Sequence, residues 1–73
     1  MDKTIFTKEY SLLVERLKKA RKEAKLEQKD VAKRLKRTQS YVSKIENGQL
    51  RLDILQLKEI AKTYHKNLDY FIK

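Results

Sequence analysis

The 73-residue chain contains no cysteine, no proline and no tryptophan, and its single glycine is Gly48. Without cysteine there is no disulfide staple and no thiolate metal site. One histidine, His65, is too few for a His-based zinc or iron centre. A sheet protein this short needs turn residues at close intervals, so the scarcity of glycine and proline points to helices. Long apolar runs are missing as well. The longest charge-free stretch is Thr38 to Ser43, whereas a membrane-spanning helix needs about 20 mostly apolar residues. No apolar segment follows Met1 in the manner of a signal peptide, so a cytoplasmic chain with no membrane partner is expected. The sequence holds no metal-ligand cluster, no nucleophile paired with a histidine base and no glycine-rich phosphate loop. A pair of catalytic carboxylates has no deep cleft to occupy at this size. No enzyme, no catalytic residue, no cofactor and no metal are therefore expected.

What the chain has in excess is positive charge. Lys and Arg total 19 against 10 Asp and Glu, a net +9. Charged residues reach 40%, against about 25% in a typical soluble protein. Such a balance implies a polyanionic partner, either nucleic acid or an anionic membrane surface. Most of the basic excess precedes Thr38. A chain of mean hydropathy −0.81 reads first as disordered, but its apolar residues recur with helical period. At 73 residues there is room for one core only. Such a core buries about 60% of the unfolded surface and is marginal alone. A partner subunit is one common remedy.

The periodicity predicts an arm over residues 1–6 and one domain over 7–73. Thr7 is an N-cap with Glu9 in the first turn. Tyr10, Leu13, Val14, Leu17, Arg21 and Ala24 then recur at helical spacing, which predicts a helix from Lys8 to Lys25. Its opposite face (Arg16, Lys18, Lys19, Lys22, Glu23) reads as solvated. A second helix spans Gln28 to Leu35, with Val31, Ala32 and Leu35 inward. Thr38 caps a third, Gln39 to Asn47, with Val42 and Ile45 inward, and Gly48 ends it. Asp53 with Gln56 three residues on forms a capping box for a fourth helix carrying Leu57, Ile60, Ala61 and Tyr64. Asn67 caps a short fifth helix holding Leu68, Phe71 and Ile72. The fold class is thus all-α and compact, with five helices.

The informative stretch is LEQKDVAKRLKRTQSYVSKIENGQLR, from Leu26 to Arg51. Two short helices joined by about three residues, the second polar outside, form a unit whose second helix fits the DNA major groove. Val31, Ala32, Leu35, Val42 and Ile45 lock the pair, and Ala32 is small where the helices cross. Outward Gln39, Ser40, Ser43, Lys44 and Asn47 are neutral or basic, and none repels phosphate. Gln39 can pair with adenine, and Lys44 can reach guanine or phosphate. Arg37 and Arg51 are candidate phosphate contacts.

These residues resemble the phage-repressor/Cro-type (XRE) helix-turn-helix domain. The resemblance rests on Leu26 and Gln28, on Val31-Ala32 with Leu35, and on Val42 with Ile45-Glu46-Asn47-Gly48. Arg51 and Leu52-Asp53 also match, and the likeness covers about Tyr10 to Ile72. It implies a homodimeric transcriptional regulator that reads specific duplex DNA with its third helix in the major groove. It further implies that Gln28 anchors phosphate, that Thr38, Gln39, Ser40 and Lys44 face base edges, and that Asn47 and Arg51 touch phosphate. Arg21 and Glu46 match positions that carry a partly buried ion pair. With no sensor domain in these 73 residues, the chain is similar to minimal regulators such as phage repressors and restriction–modification controller proteins. Three positions depart from the family pattern. Lys25, Lys36 and His65 replace its usual turn glycines, so slightly altered turns are expected. Glu27 replaces the usual Ser or Thr cap of the second helix, which predicts a weaker cap.

Blander readings compete with these. Gln39, Ser40 and Ser43 can be plain helix surface, and Arg21 and Glu46 two separately solvated charges. Tyr41 reads as packing against the fourth helix more readily than as a DNA contact. Leu68, Tyr70, Phe71 and Ile72 are candidates for the dimer interface, although Phe71 can instead complete the monomer core. Two other function classes compete: an antitoxin-type protein-interaction module with the same fold, and a basic membrane-surface binder. The core requires the apolar stripe of the first helix, which argues against the second of these.

Overall fold

A computed structural model describes residues 7–72; the expected arm, residues 1–6, lies outside them. Five helices follow in order: α1 (Lys8–Glu23), α2 (Gln28–Leu35), α3 (Gln39–Glu46), α4 (Ile54–Thr63) and α5 (Leu68–Ile72). No strand occurs among the described residues.

Side chains start most of these helices. The Thr7 hydroxyl accepts the Tyr10 N–H at 3.0 Å, and the Thr38 hydroxyl accepts the Tyr41 N–H at 3.1 Å. Asp53 and Gln56 form the full capping box of α4: Asp53 accepts the Gln56 N–H at 2.8 Å, and Gln56 accepts the Asp53 N–H at 2.9 Å. The Asn67 amide oxygen accepts from Tyr70 at 3.3 Å. At α2, Asp30 compensates for the missing Ser or Thr by accepting the Glu27 N–H at 2.8 Å. An acid in the first turn also suits the helix dipole.

Four of the helices stop in one way. After α1, α2, α3 and α4, one residue turns left-handed and the chain closes a six-residue ring onto the last turn. The closing bonds are Leu26 N–H to Arg21 C=O (3.2 Å), Arg37 to Ala32 (2.9 Å), Gln49 to Lys44 (2.8 Å) and Lys66 to Ala61 (2.9 Å). The left-handed residues are Lys25, Lys36, Gly48 and His65, with φ of 59, 59, 75 and 60°. The expectation of altered turns is therefore corrected: three non-glycine residues adopt the left-handed backbone outright, a conformation that costs a residue with a Cβ about 1–2 kcal/mol. The left turn at Lys25 also ends α1 two residues before the expected Lys25. Asn47 is the C-cap of α3, not its last helical residue.

The core is Leu17, Ala20, Val31, Ala32, Leu35, Val42, Ile45, Leu57, Ile60, Ala61, Tyr64 and Phe71. α1 packs on α3 and α5, α2 on α3 and α4, and α4 on α5. Of the two readings of Phe71, the structure takes the second: the residue is 1% exposed and completes the monomer core between α1 and α4, so it offers no surface to a second subunit. One expectation changes. Arg16, placed on the solvated face of α1, donates to the Phe71 carbonyl at 3.2 Å and ties α1 to the end of α5.

The exposed left-handed Lys36 gives a direct test. Lys36→Gly should raise stability by about 0.5–1 kcal/mol, read as a rise of about 2–8 °C in melting temperature. An unchanged or lower melting temperature would contradict a left-handed backbone at that position.

Candidate nucleic-acid interface

α2 and α3 are joined by Lys36, Arg37 and Thr38 and cross at their buried residues Val31, Ala32, Leu35, Val42 and Ile45. Burying one stripe of an eight-residue helix commits the rest of it to solvent. The outward residues of α3 and its flanks are the ones the sequence singles out. Arg37, Thr38, Gln39, Ser40, Lys44, Asn47 and Arg51 are exposed, and Ser43 is half-buried. The Asn47 amide reaches the Ser43 hydroxyl at 3.5 Å. The Thr38 oxygen already caps α3, which leaves its O–H free to donate.

Glu46 faces the other way. It is 4% exposed and is the charged residue by which α3 is held from behind. The Arg21 guanidinium grips it with two parallel bonds, Nε to Oε2 at 2.7 Å and Nη2 to Oε1 at 3.1 Å. Such a fork is the strong form of ion pair. The third guanidinium edge, Nη1, donates to the Leu26 carbonyl at 3.0 Å, in the turn that ends α1. Gln28, at the start of α2, donates its amide to Glu46 Oε1 at 3.0 Å. One carboxylate on α3 thus joins α1, the α1–α2 turn and α2. The hydrogen bond to Glu46 raises the Arg21 pKa above its ordinary value, partly opposed by burial. Burial, with the Glu46 charge beside it, holds the Tyr64 hydroxyl well above the usual tyrosine range; Tyr64 therefore stays neutral behind the pair.

The structure brings Arg21 and Glu46 together and adds a partner that the sequence reading missed. Gln28 was expected to face phosphate alone, yet one of its N–H groups is engaged by Glu46 and only the remainder of its amide is left for DNA. The two residues are 18 positions apart on different helices, so no local spacing signals the contact. Two contacts between arginine and tyrosine are likewise absent from the sequence reading. The Arg37 guanidinium lies over the Tyr41 ring at 4.9 Å, and that of Arg51 over Tyr10 at 5.2 Å. Tyr41 does pack, half-buried against the core cluster. Its i, i+4 spacing from Arg37 is a weak signal for their contact; Tyr10 and Arg51 have none. Of the proposed dimer residues, Leu68 and Tyr70 are half-buried and Ile72 is 59% exposed. Leu12, Ile54 and Leu55 are further exposed apolar residues. No helix among the described residues is long and apolar enough to cross a membrane, and no group of three or more metal-ligating side chains occurs among them.

A family model described as helix-turn-helix matches residues 17–71, from the middle of α1 to Phe71 in α5. The chain belongs to the Cro/repressor-type helix-turn-helix family. No curated protein matches it. Membership makes the chain a DNA-binding transcriptional regulator.

Removing either member of that pair leaves a charge uncompensated in a site from which water is mostly excluded, at a cost of about 3 kcal/mol or more. Arg21→Ala and Glu46→Ala should each destabilise the fold strongly. The double variant should lose much less than the sum, with a coupling above about 1 kcal/mol in urea unfolding. Strict additivity would mean that the two side chains are independent in solution.

Proposed function

We propose that this helix-turn-helix regulator binds a specific operator as a homodimer, with α3 of each subunit in a major groove. The observation that carries this reading is the division of α3. Its inward residues are locked by core packing and the buried Glu46, and its outward residues are exposed, apart from the half-buried Ser43, and free of carboxylates. In the groove, Gln39 and Ser40, at the N-terminal end of α3, read base edges, joined by Thr38, Ser43 and Lys44. Arg37, Asn47 and Arg51 hold phosphate, and Gln28 does so with the part of its amide not spent on Glu46. The net charge of +9 favours association with the duplex.

A single recognition helix reads too few base pairs to be selective, and pairing two doubles the site. Ile72, with the half-buried Leu68 and Tyr70, supports a joining surface at the C-terminal end. Half-sites then lie about 10 base pairs apart, centre to centre, or a near multiple.

Selection of bound sequences from random duplex DNA supplies the operator. On that site Gln39→Ala should cost about 1–3 kcal/mol and relax the choice at one or two positions. Arg51→Ala should weaken all duplexes alike and lower the salt slope by about one per subunit. If Gln39→Ala weakens operator and scrambled duplex equally, α3 does not read bases and the protein-interaction module becomes the better account. Sedimentation that shows monomer only, free and on DNA, would remove the dimer.

A further inference from the structure

The recognition helix has an arginine before it and another after it, and each lies over a tyrosine ring. Arg37 stands over Tyr41 at 4.9 Å and Arg51 over Tyr10 at 5.2 Å, both inside the range of about 6 Å in which a cation is drawn to a ring face. A third cation, Lys66, stands over Tyr70 at 4.5 Å. The charges differ in what else they meet. Lys66 is paired with Glu23 at 3.1 Å, whereas neither Arg37 nor Arg51 has an acidic partner among the described residues. Both arginines are exposed, and among the described residues their charge rests on a ring with no carboxylate to neutralise it.

The rings and backbones beneath them are fixed. Tyr10 is buried, and its hydroxyl donates to the Leu50 carbonyl at 3.3 Å and accepts the Leu52 N–H at 3.2 Å. It therefore pins the residues on both sides of Arg51 as well as lying under its head. Tyr41 is in the first turn of α3, packed against the core, and the Arg37 N–H is bound to the Ala32 carbonyl at 2.9 Å. An unsupported arginine gives up much rotamer freedom when it meets phosphate. One already resting on a ring has lost part of that freedom beforehand and keeps its N–H donors for the anion.

We propose that Tyr41 and Tyr10 are positioning residues that hold Arg37 and Arg51 as two pre-ordered phosphate clamps, one at each end of α3. The proposal rests on the DNA-binding mode above and adds to it the source of the clamps' rigidity. It concerns affinity for any duplex rather than choice of sequence, because phosphate contacts position and do not specify.

The test is a pair of binding cycles on the selected operator. Tyr41→Leu should weaken binding about two- to five-fold per subunit, equally on a scrambled duplex. Its salt slope should stay that of the unaltered protein, because Arg37 still reaches phosphate. Arg37→Ala should lower the slope by about one per subunit, and adding Tyr41→Leu to it should cost nothing more. Tyr41→Phe, which keeps the ring, should bind like the unaltered protein. Tyr10→Leu with Arg51→Ala forms the second cycle. Where Tyr10→Leu fails to fold, NMR of the unaltered free protein replaces it: the δ-protons of Arg37 and Arg51 should be shifted upfield by the rings, and their absence from the ring currents would overturn the clamps. Additive losses in either cycle, or Tyr41→Phe as weak as Tyr41→Leu, would overturn them too while leaving the DNA reading intact. Failure of the unaltered chain to bind any duplex overturns both.

Discussion

Glu46 is a buried carboxylate in a chain of net charge +9, and the position of α3 depends on how that carboxylate is satisfied. Burying an unpaired charge is prohibitive in a domain whose whole stability is of the order of 5–15 kcal/mol. The fold answers with the Arg21 fork and the Gln28 amide, three donors converging on two oxygens. Arg21 passes the restraint on to the Leu26 carbonyl in the turn before α2. Apolar packing by Val42 and Ile45 holds α3 down but is indifferent to small rotations about its axis. Directional bonds to one carboxylate are not, so they fix which residues of α3 face outward.

The surroundings follow from the same economy. With one glycine, the chain still makes four left-handed helix stops and leaves Lys25, Lys36 and His65 in a backbone region that suits glycine better. That strain is tolerable because each stop closes two backbone bonds, and the stops at Lys36 and His65 are followed by helices that pack on the ones just ended. The turn at Lys36 delivers Arg37 and Thr38 to the head of α3, and the stop at Gly48 delivers the loop that carries Arg51. The elements that end one helix thus place the charges that flank another.

Much of this was legible in the residues. Thr7, Thr38, Asp53 with Gln56, and Asn67 mark helix starts through chemistry that acts within three residues, and each start is where they indicate. Helix ends were less legible. Gly48 announces its turn, but Lys25 is an ordinary helix former, and nothing local shows the chain turning left there. Ala20 is fully buried and was passed over because a methyl group contributes little to an apolar stripe. Phe71 was ambiguous because a five-residue terminal cluster has no second turn to distinguish core from surface. The Gln28–Glu46, Arg16–Phe71 and Tyr10–Arg51 contacts join residues 18 to 55 positions apart, and such contacts exist only once the helices have packed. The outward row of α3 was readable because it is the complement of the buried one.

The network on Glu46, and not core packing alone, holds α3 in place. Native-state hydrogen exchange on the unaltered protein and Glu46→Gln tests it most directly, because it resolves the opening of one helix from the unfolding of the whole. In Glu46→Gln the α3 amides from Val42 to Glu46 should lose more protection than those of α4 around Leu57 to Ala61, which share the core but not the network. An equal loss across both helices, or none in α3, would contradict it.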